Sequence, residues 1–274
     1  MSEKKLVEVG KVHIPEDSDF RRFKSMCEDS DGWKLEVSKN QTMVWTKAND
    51  LSNFKMVKVR TVFEDLDAAT VYDVLHDPVF RKVWDRTMLE GKEICAINPN
   101  NDIGYYAIRA PGPLKNRDFV TQRSWLDCGF EKIIFNHSVN HAARPMKKGT
   151  IRGISFLTGY YIVKLDMNKT QLTYVSQSDP KGNLPAWAVN KLTHIFAPKV
   201  INRIYKAAKT YKAWKAKNRP EFKPWLFPEQ MMSELPRFNP DDIVSNEMLA
   251  ASSDSLEEEE EGACKESDLK DEDY

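Results

Sequence analysis

Arg81 and Asp85 stand four residues apart in PVFRKVWD, so a helix there puts a guanidinium and a carboxylate on one face. Taken alone, the spacing makes a surface ion pair worth about 0.3 kcal/mol, and with the base first it is the weaker orientation. His137 and His141 have the same spacing, which on a helix would suit zinc. FNHSVNH reads instead as a strand end, where the two imidazoles stand about 13 Å apart, and no third ligand adjoins them. KNRD (115–118) carries charges that could do chemistry, but a loop running into a strand more readily ties backbone together. Cys27, Cys95, Cys128 and Cys264 show no CxxC or other metal-ligand spacing and read as reduced thiols. The sequence has no GxSxG, HExxH or P-loop pattern. No catalytic set, metal site or cofactor site emerges, and a non-enzyme is expected. One modification motif remains. In SSDSLEEEEEG, Ser255 has Glu258 three positions downstream, the context preferred by an acidophilic kinase of the casein kinase 2 type. A phosphorylated Ser255 would then supply the same downstream acid to Ser252.

These residues need elements to hold them. An amphipathic helix is expected from Asp17 or Asp19, with Phe20, Phe23 and Cys27 on one stripe and Gly32 ending it. Segments 33–39 and 43–47 read as a hairpin about Asn40, and 54–63 alternates as a strand. Two short helices follow, 67–76 capped by Asp67 and 78–85 with proline at its start. Six strands come next, over 88–97, 104–110, 118–126, 132–139, 151–165 and 171–177. The last element spans about 185–217, with apolar residues at helical spacing and lysines on the remainder. Pro198 should bend or break it. This order describes an α+β fold: an antiparallel sheet of about nine strands whose concave face the last helix covers. The strands hold more aromatic residues than one helix can cover, which describes a cavity.

Composition sets the frame. The chain has 274 residues, 41% hydrophobic, with 13 Phe, 9 Tyr and 7 Trp, enough for one sizeable core. No run approaches the ~20 apolar residues of a membrane span, and the N-terminus lacks the apolar stretch of a signal peptide. A cytoplasmic location is expected. The zero net charge conceals a division: residues 241–274 hold 14 acidic and 2 basic residues, a charge of −12, and the remainder carries +12. A basic globule with an acidic tail points to an anionic partner, nucleic acid or a membrane surface, for which the tail competes.

VYDVLHDPVFRKVWD (71–85) and GYYAIRAPGPLKNRDFVTQRSWL (104–126) resemble the StAR-related lipid transfer (START) family, in its phosphatidylcholine-transfer branch. SDPKGNLPAWAVNK (178–191) and FKPWLFPEQ (222–230) extend the likeness. It covers roughly 17–230, leaving an N-terminal extension (1–16) and a disordered acidic tail (231–274). The resemblance implies the helix-grip fold, a curved antiparallel sheet wrapped around a long C-terminal helix that encloses a lipid tunnel. It implies a monomer that binds one glycerophospholipid, phosphatidylcholine and/or phosphatidylethanolamine, and exchanges it at anionic membrane surfaces. No nucleic acid and no cofactor is implied. The alternative within the family is a lipid-gated interaction protein without bulk transfer. By resemblance Arg81 meets the lipid phosphate while Asp85 holds the guanidinium, a task that suits arginine's planar fork. Tyr106, Phe119 and Phe156 fall where the family builds an aromatic cage around choline. The phosphatidylcholine-only relative has Trp at the position of Tyr106, whose phenol can also accept a hydrogen bond from ethanolamine. Lys191, Lys199, Arg203 and Lys206 are expected to form a membrane-facing gate on the last helix, its distal half swinging from Pro198.

Overall fold

In the computed structural model, which describes residues 8–110, 114–182, 184 and 197–245, helix α1 (Asp17–Glu28) starts in a capping box between Glu16 and Asp19. It buries Phe20, Phe23 and Cys27, the expected stripe. It ends at Glu28, short of Gly32, because two cations rather than a glycine take up its last carbonyls. Lys58 Nζ donates to the carbonyls of Met26 (3.3 Å) and Asp29, and Arg60 Nη2 to that of Cys27 (2.6 Å). Both cations come from β3 (Met56–Phe63).

Lys58 is only 2% exposed, with its ammonium 4.2 Å from the centre of the Trp33 ring. Burial, and then the charge of Arg60, lowers its pKa from 10.5 to about 8. Between those values the unfolded chain holds a proton that the folded chain does not, so this group makes stability rise with pH through that window. Urea titrations of wild type and Lys58→Met from pH 8 to 10.5 should show wild type gaining on the variant. Parallel curves would mean that Lys58 titrates normally in the fold.

The hairpin of β1 (Lys34–Lys39) and β2 (Thr42–Lys47) turns on Asn40 and Gln41, with φ of 47° and 61°, the left-handed pair that a two-residue turn needs. Asp67 caps α2 (Ala68–His76) through the Thr70 N–H at 2.8 Å. Asp77 caps α3 (Pro78–Trp84) through the N–H groups of Val79 and Phe80. The strands β4 (Met88–Asn98), β5 (Asn101–Ile108), β6 (Asn116–Asp127), β7 (Glu131–Ser138), β8 (Thr150–Arg152), β9 (Ile154–Asp166) and β10 (Lys169–Asp179) follow, then helices α4 (Ala197–Lys215) and α5 (Pro228–Glu234). The segment read as one strand over 151–165 divides at Gly153. Its first part, β8, pairs in parallel with the start of β6, and β9 continues the antiparallel order β1-β2-β3-β10-β9-β7-β6-β5-β4.

Helices cover both sides of this curved sheet. Val71, Leu75, Ile201, Ile204 and Ala208 of α2 and α4 join Val59, Ile162 and Leu172 in the main core. On the opposite face α1 packs Phe20 and Phe23 against Phe135, Leu157 and Tyr161. Described structure also continues past the expected domain boundary. The boundary at 230/231 falls inside α5, whose Met231 is buried. Phe238 and Ile243 pack beside Cys95 and Ile103, and backbone bonds join Ala96 to Pro236 and Phe238. These apolar side chains interrupt the polar stretch, and their segment covers part of the β4 edge.

Candidate functional site

A cavity of about 510 Å³ lies between the sheet and helices α2, α3 and α4, within the ~300–1,000 Å³ of small-molecule sites. Helix α3 turns Arg81 and Asp85 into it. Arg81 Nε donates to Asp85 Oδ2 at 3.2 Å, and the same oxygen accepts from the Tyr106 hydroxyl at 2.6 Å. Thr87 Oγ1 donates to the other oxygen at 2.7 Å. The guanidinium lies over the Tyr106 ring, 4.7 Å from its centre. Burial pushes Asp85 up, but the Arg81 charge and the bonds from Tyr106 and Thr87 outweigh it and hold the carboxyl below its ordinary value. Burial likewise opposes the Arg81 cation, and the electrostatic influence of Tyr106 and Asp85 more than offsets it. The result is a permanent cation in an interior wall. Among the described residues its two terminal amino groups have no hydrogen-bond partner, so the fork is open to the cavity.

A second arginine in the wall is paired with a carboxylate. Arg123 donates through Nε and Nη2 to both oxygens of Asp102, with Glu93 3.5 Å away. Burial raises the Glu93 pKa against the pull of the Arg123 charge. His76, whose ring packs against Trp125 and Trp225 within reach of the Arg123 charge, is buried with neither ring nitrogen hydrogen-bonded among the described residues. Arg81 keeps both terminal amino groups for an anion, whereas Arg123 has only Nη1 beyond its two-point pairing with Asp102.

The aromatic lining differs from the expected set. Phe119 faces the cavity, and a side chain at Gly153 would collide with its ring. Tyr106 also lines it, but one ring face and the hydroxyl are committed to Arg81 and Asp85. Phe156 is half-buried and not among the lining residues; a bulge where Gln177 and Ser178 meet β9 changes the register beside it. Tyr160 and Tyr174, missed in the sequence, line the wall with ring centres 5.1 Å apart. Next to them Thr158, Ser176 and Ser178 form a hydroxyl cluster at 2.9–3.1 Å.

The START domain model matches residues 14–214. This chain belongs to the START domain family. Over 257 residues it is 44% identical to START domain-containing protein 10 of Mus musculus, covering 93% of this chain and 86% of that protein. Mouse phosphatidylcholine transfer protein is 26% identical over 183 residues, 65% of this chain and 85% of its own length. A crystal structure of human STARD10 superimposes with a TM-score of 0.81 at 42% identity, covering 88% of this chain and 99% of that one.

In this START domain the KNRD segment is structural. Arg117 donates to the carbonyls of Lys115, Pro180 (3.1 Å) and Lys181 (3.0 Å), tying together two segments that flank the cavity. Asp118 is held by Arg152 at 2.7 Å and by Tyr105 at 3.1 Å. The described part of α4 runs from Ala197 to Lys215, and the segment before Pro198 on which the expected bend depends lies outside the described residues. Residues 185–196, including Lys191, lie outside the described residues, as do Ser252 and Ser255. Arg203 lines the cavity, Lys199 is half-buried and Lys206 is exposed. The distal half of α4 is joined by side chains to the ends of α2 and the start of α3. Lys209 and Tyr205 bond Asp65, Lys212 bonds Asp67, and Lys215 and Tyr211 bond Asp77, all at 2.7–3.1 Å.

The histidines do not meet. His137 Nε2 lies 2.8 Å from the Lys11 carbonyl, whereas His141 Nε2 lies 3.8 Å from Cys95 Sγ. That Cys–His pair is not a nucleophile and its base. The Ala143 N–H donates to His141 Nδ1, which leaves the proton on Nε2, facing the sulfur. Burial also pushes the Cys95 thiol up to about 11. Among the described residues no helix is long and apolar enough to cross a membrane.

Proposed function

We propose that this protein carries one glycerophospholipid, phosphatidylcholine or phosphatidylethanolamine, in the cavity and exchanges it between membranes. The observation that carries the reading is the open guanidinium fork of Arg81, fixed by Asp85 and Tyr106 within a largely apolar and aromatic wall. A phosphate diester accepts two hydrogen bonds from such a fork, and the surrounding wall shields acyl chains at about 0.8 kcal/mol per methylene. Phe119, Tyr160 and Tyr174 offer aromatic faces to a quaternary ammonium, which has no N–H to donate. The Thr158, Ser176 and Ser178 hydroxyls offer acceptors to the N–H groups of ethanolamine. The chain's likeness to a phosphatidylcholine transfer protein supports the same cargo.

Native mass spectrometry of the purified protein is expected to show one phospholipid per chain with one of these headgroups. Transfer of labelled lipid between vesicles should accompany it. Protein that carries no phospholipid and takes none up from vesicles would sink the proposal. Bound lipid without transfer would instead indicate a lipid-gated interaction protein.

A further inference from the structure

The helix that turns Arg81 inward has an outer face. On it Val79 (55% exposed) and Val83 (59%) stand one turn apart, and Leu89 (43%) follows at the start of β4. Lys82 and Arg86 are exposed beside them, and neither has an ion-pair partner among the described residues. The acidic groups nearby are occupied. Asp77 caps α3 and accepts from Tyr211 and Lys215, and Asp85 is turned inward to Arg81. Glu90 is held by Arg144 at 2.9 Å and by Lys147 at 3.4 Å.

Exposed aliphatic side chains flanked by unanswered cations suit a surface that is anionic outside and apolar beneath, which is a bilayer. The same stretch adjoins the cavity. Pro78, Trp84, Met88 and Lys92 line it, and Lys92 is itself exposed. Most lysines of distal α4, by contrast, are engaged by Asp65, Asp67 and Asp77. We propose that the outer face of α3 seats this protein on an anionic bilayer, with Val79 and Val83 in the headgroup layer and Lys82 and Arg86 on lipid phosphates. The inference rests on the phospholipid-carrier reading and places the phosphate receptor on the inner side of the membrane-bound helix.

Full-length protein is floated with phosphatidylcholine vesicles, with and without phosphatidylserine, while native mass spectrometry counts its retained phospholipid. Lys82→Glu/Arg86→Glu is expected to lower partition onto phosphatidylserine vesicles about tenfold or more, with retained lipid unchanged. Val79→Ser/Val83→Ser should lower partition onto both vesicle types. Lys39→Glu/Lys148→Glu, which changes the net charge equally at exposed sites elsewhere, should lose far less. Lys82→Gln/Arg86→Gln replaces the reversal if that variant does not fold. Wild-type partition by the folded α3 variants overturns the proposal. So does increased partition, which would mean that the face holds the acidic segment 246–274 or a protein partner. Wild type that carries no phospholipid, yet loses vesicle binding in both α3 variants, would sink the cargo reading and uphold this one.

Discussion

Arg81→Ala is expected to lower phospholipid affinity by roughly a hundredfold and to reduce vesicle-to-vesicle transfer in proportion. The substitution deletes the open fork, and charge-assisted hydrogen bonds contribute about 1.5–3 kcal/mol each, so losing two removes at least about 3 kcal/mol. It also strips Asp85 of its counter-ion, leaving a buried carboxyl supported by Tyr106 and Thr87 alone. Its pKa should then move up. Arg81→Lys keeps the charge, but a single ammonium must choose between Asp85 and the lipid phosphate. A loss of about tenfold is expected there. Equilibrium uptake of a fluorescent phosphatidylcholine measures both variants, and circular dichroism checks the fold. If both folded variants take up lipid like wild type, the phosphate site is elsewhere in the cavity.

Gly159→Ala should produce a large loss of stability from one added methyl group. A Cβ at this position would stand 2.5 Å from the Ile134 carbonyl oxygen, 2.6 Å from Phe23 Cζ and 2.7 Å from Phe135 Cβ. Gly159 sits in β9, held between β7 and β10 opposite Phe135 and Val175, so the strand cannot move aside. Helix α1 would have to lift its Phe23 from the sheet, and the carbonyl contact would still remain. Overpacking of this kind costs about 3 kcal/mol, which corresponds to a fall in Tm of roughly 6–12 °C for a domain of this size. Calorimetry reads it directly. An unchanged Tm would show that α1 rests on the sheet without tight packing.

The sequence by itself determined the features that depend on near neighbours along the chain. The α1 stripe of Phe20, Phe23 and Cys27, the Asp67 cap, the proline start of α3 and the Asn40 turn all follow from helical period, helix-start chemistry and left-handed φ. That Arg81 and Asp85 share a helix face was legible for the same reason, because four residues make one helical turn. Strand register was not legible, and much of the cavity wall is built from it. Asp102 meets Arg123, and Tyr160 meets Tyr174, because those residues lie directly opposite in β5–β6 and β9–β10. A slip of one residue would turn each to the other face. The α1 end was misplaced because Lys58 and Arg60, about thirty residues away, cap it from β3. The lysines of α4 looked alike along the chain. Only the fold decided which of them stand over an aspartate of the α2 region and which face the cavity or solvent, since ion pairing at that range depends on where two helices come to lie.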